Sequence, residues 1–221
     1  MGVQWIAVLR KDLLSEARTR YGVTSLTLFV VTTVTLIALS TADEVVPRPV
    51  HAAMVWVVLF FTAITGLARG FVAEEERGTS LYLRLSAPPM SVYVGKLVGN
   101  VLLSTTSNFL VIILMALLLP SLTIGSIALL LVVVVVASIG LAAVTTITSA
   151  IVAKAGAKQA LLPILAFPVL LPLIMPGVQA TLMAFAGMPL ADAASDIGLM
   201  VAHTGIVSVV GALLFDTVWR D

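Results

Sequence analysis

A polar segment between two long apolar runs holds most of the side chains that could do chemistry in this chain. Residues 69–100 read RGFVAEEERGTSLYLRLSAPPMSVYVGKLVGN and include three consecutive carboxylates, Glu74, Glu75 and Glu76. Charged side chains are costly in hydrocarbon, so this segment creates a surface in water next to the membrane. Such a surface is suited to docking a partner protein.

The two histidines, His51 and His203, are the other side chains with ligand chemistry. His51 opens one apolar run, and His203 lies about two helical turns into another. A neutral imidazole can ligate a haem iron. Isolated histidines in membrane helices are also often simple hydrogen-bonding groups, and nothing in the spacing brings these two together. Both interpretations, candidate haem contact and structural histidine, stay open.

The sequence lacks the motifs of the common catalytic and nucleotide-binding sites. It has no G-x-x-x-x-G-K-[ST] loop for ATP, no metal-ligand motif and no nucleophile–base arrangement. Zero cysteines exclude disulfides, iron–sulfur clusters and thiol catalysis, and a net charge of +1 gives no case for nucleic-acid binding. We therefore expect a protein that is not an enzyme and binds neither a metal nor a cofactor of its own.

The composition indicates an all-α, polytopic membrane protein. Of 221 residues, 60% are hydrophobic and 10% are charged, and the mean hydropathy is +1.16. A helix needs roughly 20 apolar residues to cross a hydrocarbon core about 30 Å thick. Six segments qualify: about 23–41, 50–68, 97–119, 124–152, 159–177 and 196–218. Ala38 and Ser40 also allow a cleaved signal peptide, but the length of the first run favours an uncleaved span.

Lysine and arginine are distributed unevenly between the two sides of these spans. Only Arg48 falls on one side, and the other eleven fall on the side of the N terminus. Those eleven are Arg10, Lys11, Arg18, Arg20, Arg69, Arg77, Arg84, Lys96, Lys154, Lys158 and Arg220. By the positive-inside rule the N terminus is cytoplasmic, and six spans return the C terminus to the same side.

An amphipathic helix is predicted before the first span. Within residues 3–20, apolar side chains recur at helical spacing, at Ile6, Leu9, Leu13 and Ala17. This pattern is typical of a helix that lies in the cytoplasmic membrane interface. This helix is either a topological anchor or a lever that contacts a cytoplasmic partner.

The sequence of residues 69–90 predicts a second short helix, which lies between two turns. Gly78 breaks the acidic end of span 2, and Ser80 caps residues 81–85. The Pro88–Pro89 pair then ends this helix and starts span 3. An element of this form could couple a cytoplasmic motor to spans 2 and 3, with an ordinary solvated loop as the alternative.

Span 5 is interrupted by four prolines. They are Pro163, Pro168, Pro172 and Pro176. Each removes a backbone donor and clashes with the preceding turn, so we expect a bent or broken helix packed among others, with the prolines as candidate gating kinks. Residues 178–195 predict a re-entrant or interfacial pair of short helices on the outer face. A further span there, which would invert the C-terminal segment, is the alternative.

Polar side chains also occur inside the spans. Asn108 lies near the middle of span 3, and Thr145 and Thr146 lie in span 4. Such groups usually hydrogen-bond between helices, and a polar translocation path or a subunit seam is the functional alternative. Lys96, near the start of span 3, can extend its ammonium group to the interface.

With these features the chain resembles the permease subunit of the cytochrome c maturation ABC transporter, the haem exporter protein B family. The shared features are an acidic segment with glycine after span 2, a Leu-rich stretch ending at Ser-Pro, a Gly-Lys-x-x-x-Asn opening to span 3, and a Pro-rich span 5. They are Glu74 to Glu76, Gly78-Thr79, Leu81 to Leu85, Ser86 to Pro88, Gly95-Lys96 with Asn100, and Pro163, Pro168 and Pro172. Tyr82 stands where the family tends to carry a glutamate.

The resemblance implies one ABC-2-type permease domain, residues 1–221, that serves haem export or delivery for c-type cytochromes in the bacterial inner membrane. Two copies would pair with two cytoplasmic ATP-binding subunits, beside a haem-handling membrane subunit, a small accessory subunit and an extracytoplasmic haem chaperone. Haem would be the cargo, and ATP would lie on the partner. The implied coupling residues are Glu74, Glu75, Glu76, Gly78, Leu81, Leu83, Arg84, Leu85 and Pro88.

Other functions fit the same residues. The chain could be an ABC-2-type permease for a drug, a lipid or a glycan. It could also be a non-translocating assembly subunit that couples a partner's ATP hydrolysis to release of a haem-loaded chaperone. A membrane anchor without energy coupling is a third alternative.

Overall fold

The computed structural model describes residues 4–42, 44–67, 69–153, 155 and 158–220. These residues form α-helices and no strand, which confirms the all-α class. The helices are α1 (Gln4–Thr19), α2 (Tyr21–Ser40), α3 (Arg48–Thr62), α4 (Arg69–Glu76), α5 (Ser80–Ser86), α6 (Pro89–Leu118), α7 (Ile127–Val152), α8 (Lys158–Ala186) and α9 (Ala194–Arg220). A π-helical turn, Ala63–Leu67, follows α3.

Six helical segments of the described chain are long and apolar enough to cross a membrane, which confirms the polytopic architecture. They are Gly22–Ser40, Arg48–Glu76, Pro89–Leu118, Ile127–Val152, Ala160–Ala186 and Ala194–Trp219. The largest differences from the predicted bounds are three: the second segment continues to Glu76, α6 begins at Pro89 and α8 continues to Ala186. We call the side at which α2 and α6 begin the basic end of the bundle, and the other side the opposite end.

Helix α7 is the most buried of these segments, and it packs against α6, α8 and α9. Its valine-rich tract is helical, as expected where the backbone must satisfy its own hydrogen bonds. Asn108 Nδ2 of α6 donates to Ser138 Oγ over 2.9 Å, and Asn100 Nδ2 donates to Thr146 Oγ1 over 2.8 Å. Both bonds join α6 to α7, which supports helix packing as the role of these polar groups.

The four prolines do not break α8, so the broken form of that prediction is wrong, whereas a bend at the prolines stays a prediction. All four lie inside one helix, Lys158–Ala186: Pro163, Pro168, Pro172 and Pro176. Each proline takes one donor from the helical ladder, but a helix in a membrane has no alternative backbone structure, and neighbouring helices support it. Leu170 and Leu173 are buried, whereas Phe167 and Met175 are 49% and 70% exposed. One side of α8 therefore faces outward.

The segment predicted as two short interfacial helices is also organised differently. Residues 178–186 complete α8, and α9 begins at Ala194, so a short turn separates the two helices. Gly187 adopts a φ of 79°, a left-handed conformation that suits glycine, as the chain leaves α8. The N–H of Ser126 donates to Ala184 O over 2.8 Å and ties this turn to the start of α7.

We expect Gly125→Ala to separate the two turns that meet at the opposite end. A Cβ at Gly125 would lie 2.5 Å from the backbone N and Cα of Gly187. Overpacking of this kind costs about 1–3 kcal/mol, which lowers the thermal unfolding midpoint of the purified protein. Gly198→Ala is the control, because a Cβ there meets no heavy atom within 4 Å. If Gly125→Ala and Gly198→Ala had equal thermal unfolding midpoints, the close contact between Gly125 and Gly187 would be contradicted.

Candidate functional site

Residues 69–90, the coupling segment, leave the bundle at the basic end as two short helices. α4 ends at Glu76 and α5 begins at Ser80. Within the turn between them, the N–H of Thr79 donates to Glu74 O over 2.9 Å. Gly78 adopts a φ of 67° there, which a residue with a side chain rarely does. The predicted short helix between two turns is therefore present.

One face of α5 is exposed and apolar. Leu81 is 65% exposed, Tyr82 is 73% exposed and Leu85 is 81% exposed. Leu81 and Leu85 are four residues apart and share a helix face, and Tyr82 lies beside them. We call these three residues the coupling patch. Grouped apolar side chains on a braced helix form a surface that a partner protein can cover.

The other face of α5 is anchored in the bundle. Leu83 is only 5% exposed. It belongs to the same buried group as four aromatic side chains, the aromatic cluster: Phe71, Tyr93, Phe215 and Trp219. Contacting rings in this cluster have centroids 5.3–5.6 Å apart. The Arg84 guanidinium adds a cation–π contact, 5.1 Å from the Trp219 centroid. The aromatic cluster thus ties α5 to α4, α6 and α9.

Four charged side chains, the ion cluster, meet beside α4: Lys11 and Asp12 of α1, Glu74 of α4 and Lys96 of α6. Lys96 Nζ lies 2.9 Å from Asp12 Oδ2, 3.0 Å from Glu74 Oε1 and 3.2 Å from Gly70 O. Each of the three N–H donors of the Lys96 ammonium group therefore has an acceptor. Lys96 is only 5% exposed. Lys11 pairs with Glu74 and with Asp12, the latter over 3.3 Å. The ion cluster therefore joins three helices.

The ion cluster keeps Glu74 ionised. Residues 48–67 suffice to cross the hydrocarbon core, so Glu74 lies beyond it. Burial opposes the charge of Glu74, but the charge of Lys96 and hydrogen bonds from Lys11 and Thr79 outweigh burial and lower the pKa of Glu74 from 4.5 to about 2. The pKa of Glu74 is lower in the folded than in the unfolded chain, so ionised Glu74 stabilises the fold above about pH 4.5. This stabilisation is lost as the pH falls towards 2.

The coupling residues named from the sequence divide into two groups. At least partly exposed are Glu75, Glu76, Gly78, Leu81, Leu85 and Pro88. Glu74 and Leu83 are buried, and Arg84 is half-buried against Trp219. A partner can reach the first group, whereas the second group holds the coupling segment in place. The contact of the first group with an ATP-binding subunit stays a prediction.

Sequence reasoning missed Lys11 and Asp12 as site residues, and it did not predict that Lys96 would be buried among counter-charges. Lys96 is buried because it finds its counter-charges inside the protein. The available signal was a charge about two turns inside a long apolar helix, a position that usually needs a partner. Asp12 also shares a helix face with Trp5 and Val8, at i, i+3 and i+7 spacing.

The two candidate haem ligands lie on different helices, and no hydrogen bond joins them. His51 is 2% exposed, with its Nε2 3.2 Å from Ser121 Oγ. His203 lies on α9, and its Nε2 has no hydrogen-bond partner within the described chain. No group of three or more His, Cys, Asp or Glu that could hold a metal occurs among the described residues. Contact of either histidine with haem stays a prediction.

The α3–α8 contact leaves an apolar groove of about 580 Å³ beside the prolines. Trp56, Phe60, Phe167 and Pro163 are among its lining residues. Of the four candidate kink positions, Pro163 is the one that faces this groove. A gating role for the four prolines stays a prediction.

Comparison with known families agrees with this arrangement. A family model described as CcmB protein matches residues 3–214, which run from α1 through the coupling segment into α9. No curated protein matches the chain in sequence. Because the family match spans nearly the whole chain, this chain belongs to the CcmB family, the membrane component of the haem-export ABC transporter for cytochrome c biogenesis.

Proposed function

We propose that this chain transmits the ATP-driven movement of a cytoplasmic ATP-binding subunit to the spans of the haem-export complex. The family works with such a subunit. The observation that carries the proposal is the exposed coupling patch on α5, whose other face packs through Leu83 into the aromatic cluster. Force applied to the patch passes through this packed cluster, from Arg84 to Trp219 and on to Phe215 of α9 and Tyr93 of α6.

The proposal includes the assembly around the chain. Two copies pair with two ATP-binding subunits, a haem-handling membrane subunit and a small accessory subunit, and an extracytoplasmic haem chaperone receives the product. The complex lies in the bacterial cytoplasmic (inner) membrane with both termini of this chain in the cytoplasm, which the lysine and arginine distribution supports. Haem is the cargo, ATP is hydrolysed by the partner, and this chain has no enzymatic activity.

We expect Leu81→Asp with Leu85→Asp to lower recovery of the ATP-binding subunit by at least about tenfold, because two carboxylates cannot be buried on an apolar partner surface without a large cost. Content of c-type cytochromes should fall with it. The measurements are an affinity pull-down from native membranes and haem staining of the same cells.

Val45→Asp is the matched control. Val45 is 93% exposed in the loop between α2 and α3, at the opposite end, so the same apolar-to-acidic change should leave partner binding and cytochromes intact. Immunoblots of the membranes establish that both variants are present in equal amounts. If the doubly substituted patch keeps its partner and cytochromes at the control level, the coupling proposal is contradicted.

A further inference from the structure

Helix α1 packs on α6 through a face that differs from the predicted apolar one. Val8 is 4% exposed, and Trp5 and Leu9 are half-buried beside it. A Cβ at Gly95 of α6 would lie 2.9 Å from Val8 Cβ, so the two helices approach closely at this point. Since this face is occupied by α6, the remaining face of α1 is free to meet its surroundings.

That open face of α1 combines apolar and basic side chains. Ile6, Leu13 and Leu14 are 46%, 44% and 49% exposed. Arg10 and Arg18 are exposed between and beside them, and they form no ion pair with the described residues. With successive residues turned by about 100°, the five positions fall within an arc of about 140°. The open face is therefore one continuous surface.

Neither acidic residue of α1 lies within the arc of the open face. Asp12 pairs with Lys96 of the ion cluster over 2.9 Å. Glu16 Oε1 accepts a hydrogen bond from the N–H of Val23 over 2.7 Å, at the start of α2. Both carboxylates of α1 are thus engaged internally, and the charge on the open face is positive only.

The connection to the first span places this face at the membrane boundary. Arg20 is the residue between α1 and α2, and its φ of 53° turns the chain there. Large apolar side chains favour the acyl boundary, whereas arginine heads avoid hydrocarbon, so the open face suits the headgroup layer. Anionic headgroups attract lysine and arginine held at that depth.

We propose that the open face of α1 binds the headgroups of anionic phospholipids. Arg10 and Arg18 contact the lipid phosphates, and Ile6, Leu13 and Leu14 lie at the acyl boundary. Because Asp12 on the inner face of the same helix pairs with Lys96, anionic lipid also stabilises the packing of α1 on α6. This inference does not depend on the coupling proposal.

The absence of cysteine from the chain allows a direct test with a single label. Leu14→Cys carries a polarity-sensitive fluorophore on the open face of the full-length protein. In nanodiscs, we expect emission at shorter wavelength in mixed phosphatidylcholine and phosphatidylglycerol than in phosphatidylcholine alone. Salt at about 0.5 M should remove this difference, because the Debye length then falls to roughly 4 Å.

Charge variants identify the residues responsible. Arg10→Gln with Arg18→Gln should remove the lipid difference, and Arg48→Gln, at the opposite end, should keep it. Without the label, phosphatidylglycerol should raise the thermal unfolding midpoint of the unsubstituted protein but not of the Arg10/Arg18 variant. Equal emission in both lipids would overturn the proposal, as would a lipid difference that survives in that variant. A shift that grows with protein concentration, as a second copy on this face would cause, would overturn it too.

Discussion

Lys96→Met is expected to lower the free energy of unfolding by about 3–5 kcal/mol, because it leaves the carboxylates of Asp12 and Glu74 without their buried cation. Lys96 is 5% exposed, so water cannot easily replace its ammonium group. The same change should raise the pKa of Glu74, since the charge of Lys96 is what chiefly lowers it against burial. Thermal unfolding of the purified protein, compared with the unsubstituted chain, measures the loss.

Two further variants show whether the loss of stability in Lys96→Met comes from the uncompensated carboxylates or from the change of side chain itself. Lys11→Met removes a cation whose side chain is 43% exposed, so it should cost no more than about 1 kcal/mol. Combining Lys96→Met with Asp12→Asn and Glu74→Gln should recover much of the stability, because no unpaired buried charge remains. If Lys11→Met were as damaging as Lys96→Met and the triple variant recovered nothing, the stabilising role of the ion cluster would be refuted.

Phe215→Ala is expected to cost about 3 kcal/mol of stability. Phe215 is 1% exposed, and its ring contacts Phe71, Tyr93 and Trp219. Truncating a buried phenylalanine costs about 3–5 kcal/mol in soluble proteins. We expect the lower end, because association of helices in lipid depends on packing and gains little from removal of apolar surface from water. Thermal unfolding again provides the measurement.

The same substitution tests the transmission of force through the aromatic cluster. Phe215→Ala leaves the coupling patch unchanged, so the ATP-binding subunit should still copurify while content of c-type cytochromes falls. Leu213→Ala, two residues earlier on α9 and 73% exposed, is the control and should change stability by less than about 0.5 kcal/mol. Cytochrome content in Phe215→Ala cells equal to that in Leu213→Ala cells would argue against transmission along this route.

The membrane architecture can be predicted from the sequence because the bilayer imposes a local requirement. Every backbone group in hydrocarbon must find its bond within its own segment, so an apolar run of sufficient length is a helix. The valine-rich tract of α7 illustrates this, since it is helical despite its strand-like composition. The C-terminal end of α8 was harder to place, because prolines and Gly187 act on the local backbone while lateral packing determines whether the helix continues.

The coupling segment was predictable in part. Spacing alone puts Leu81 and Leu85 on one face of a short helix and Leu83 on another. Which face is buried depends on Phe71, Tyr93, Phe215 and Trp219, which come from three other helices. Tyr82 lies with the exposed leucines and adds an aromatic ring to this surface.

The sequence by itself determined the six spans, the one-sided distribution of basic residues, the absence of an ATP-binding loop and the family. These properties follow from composition, length and short motifs, which are local. Only the tertiary structure assembled the ion cluster, in which Glu74 meets Lys11 across 63 positions of the chain and Lys96 across 22. Such pairs form where packed helices bring opposite charges together out of water, and no periodicity within a single helix specifies its partner.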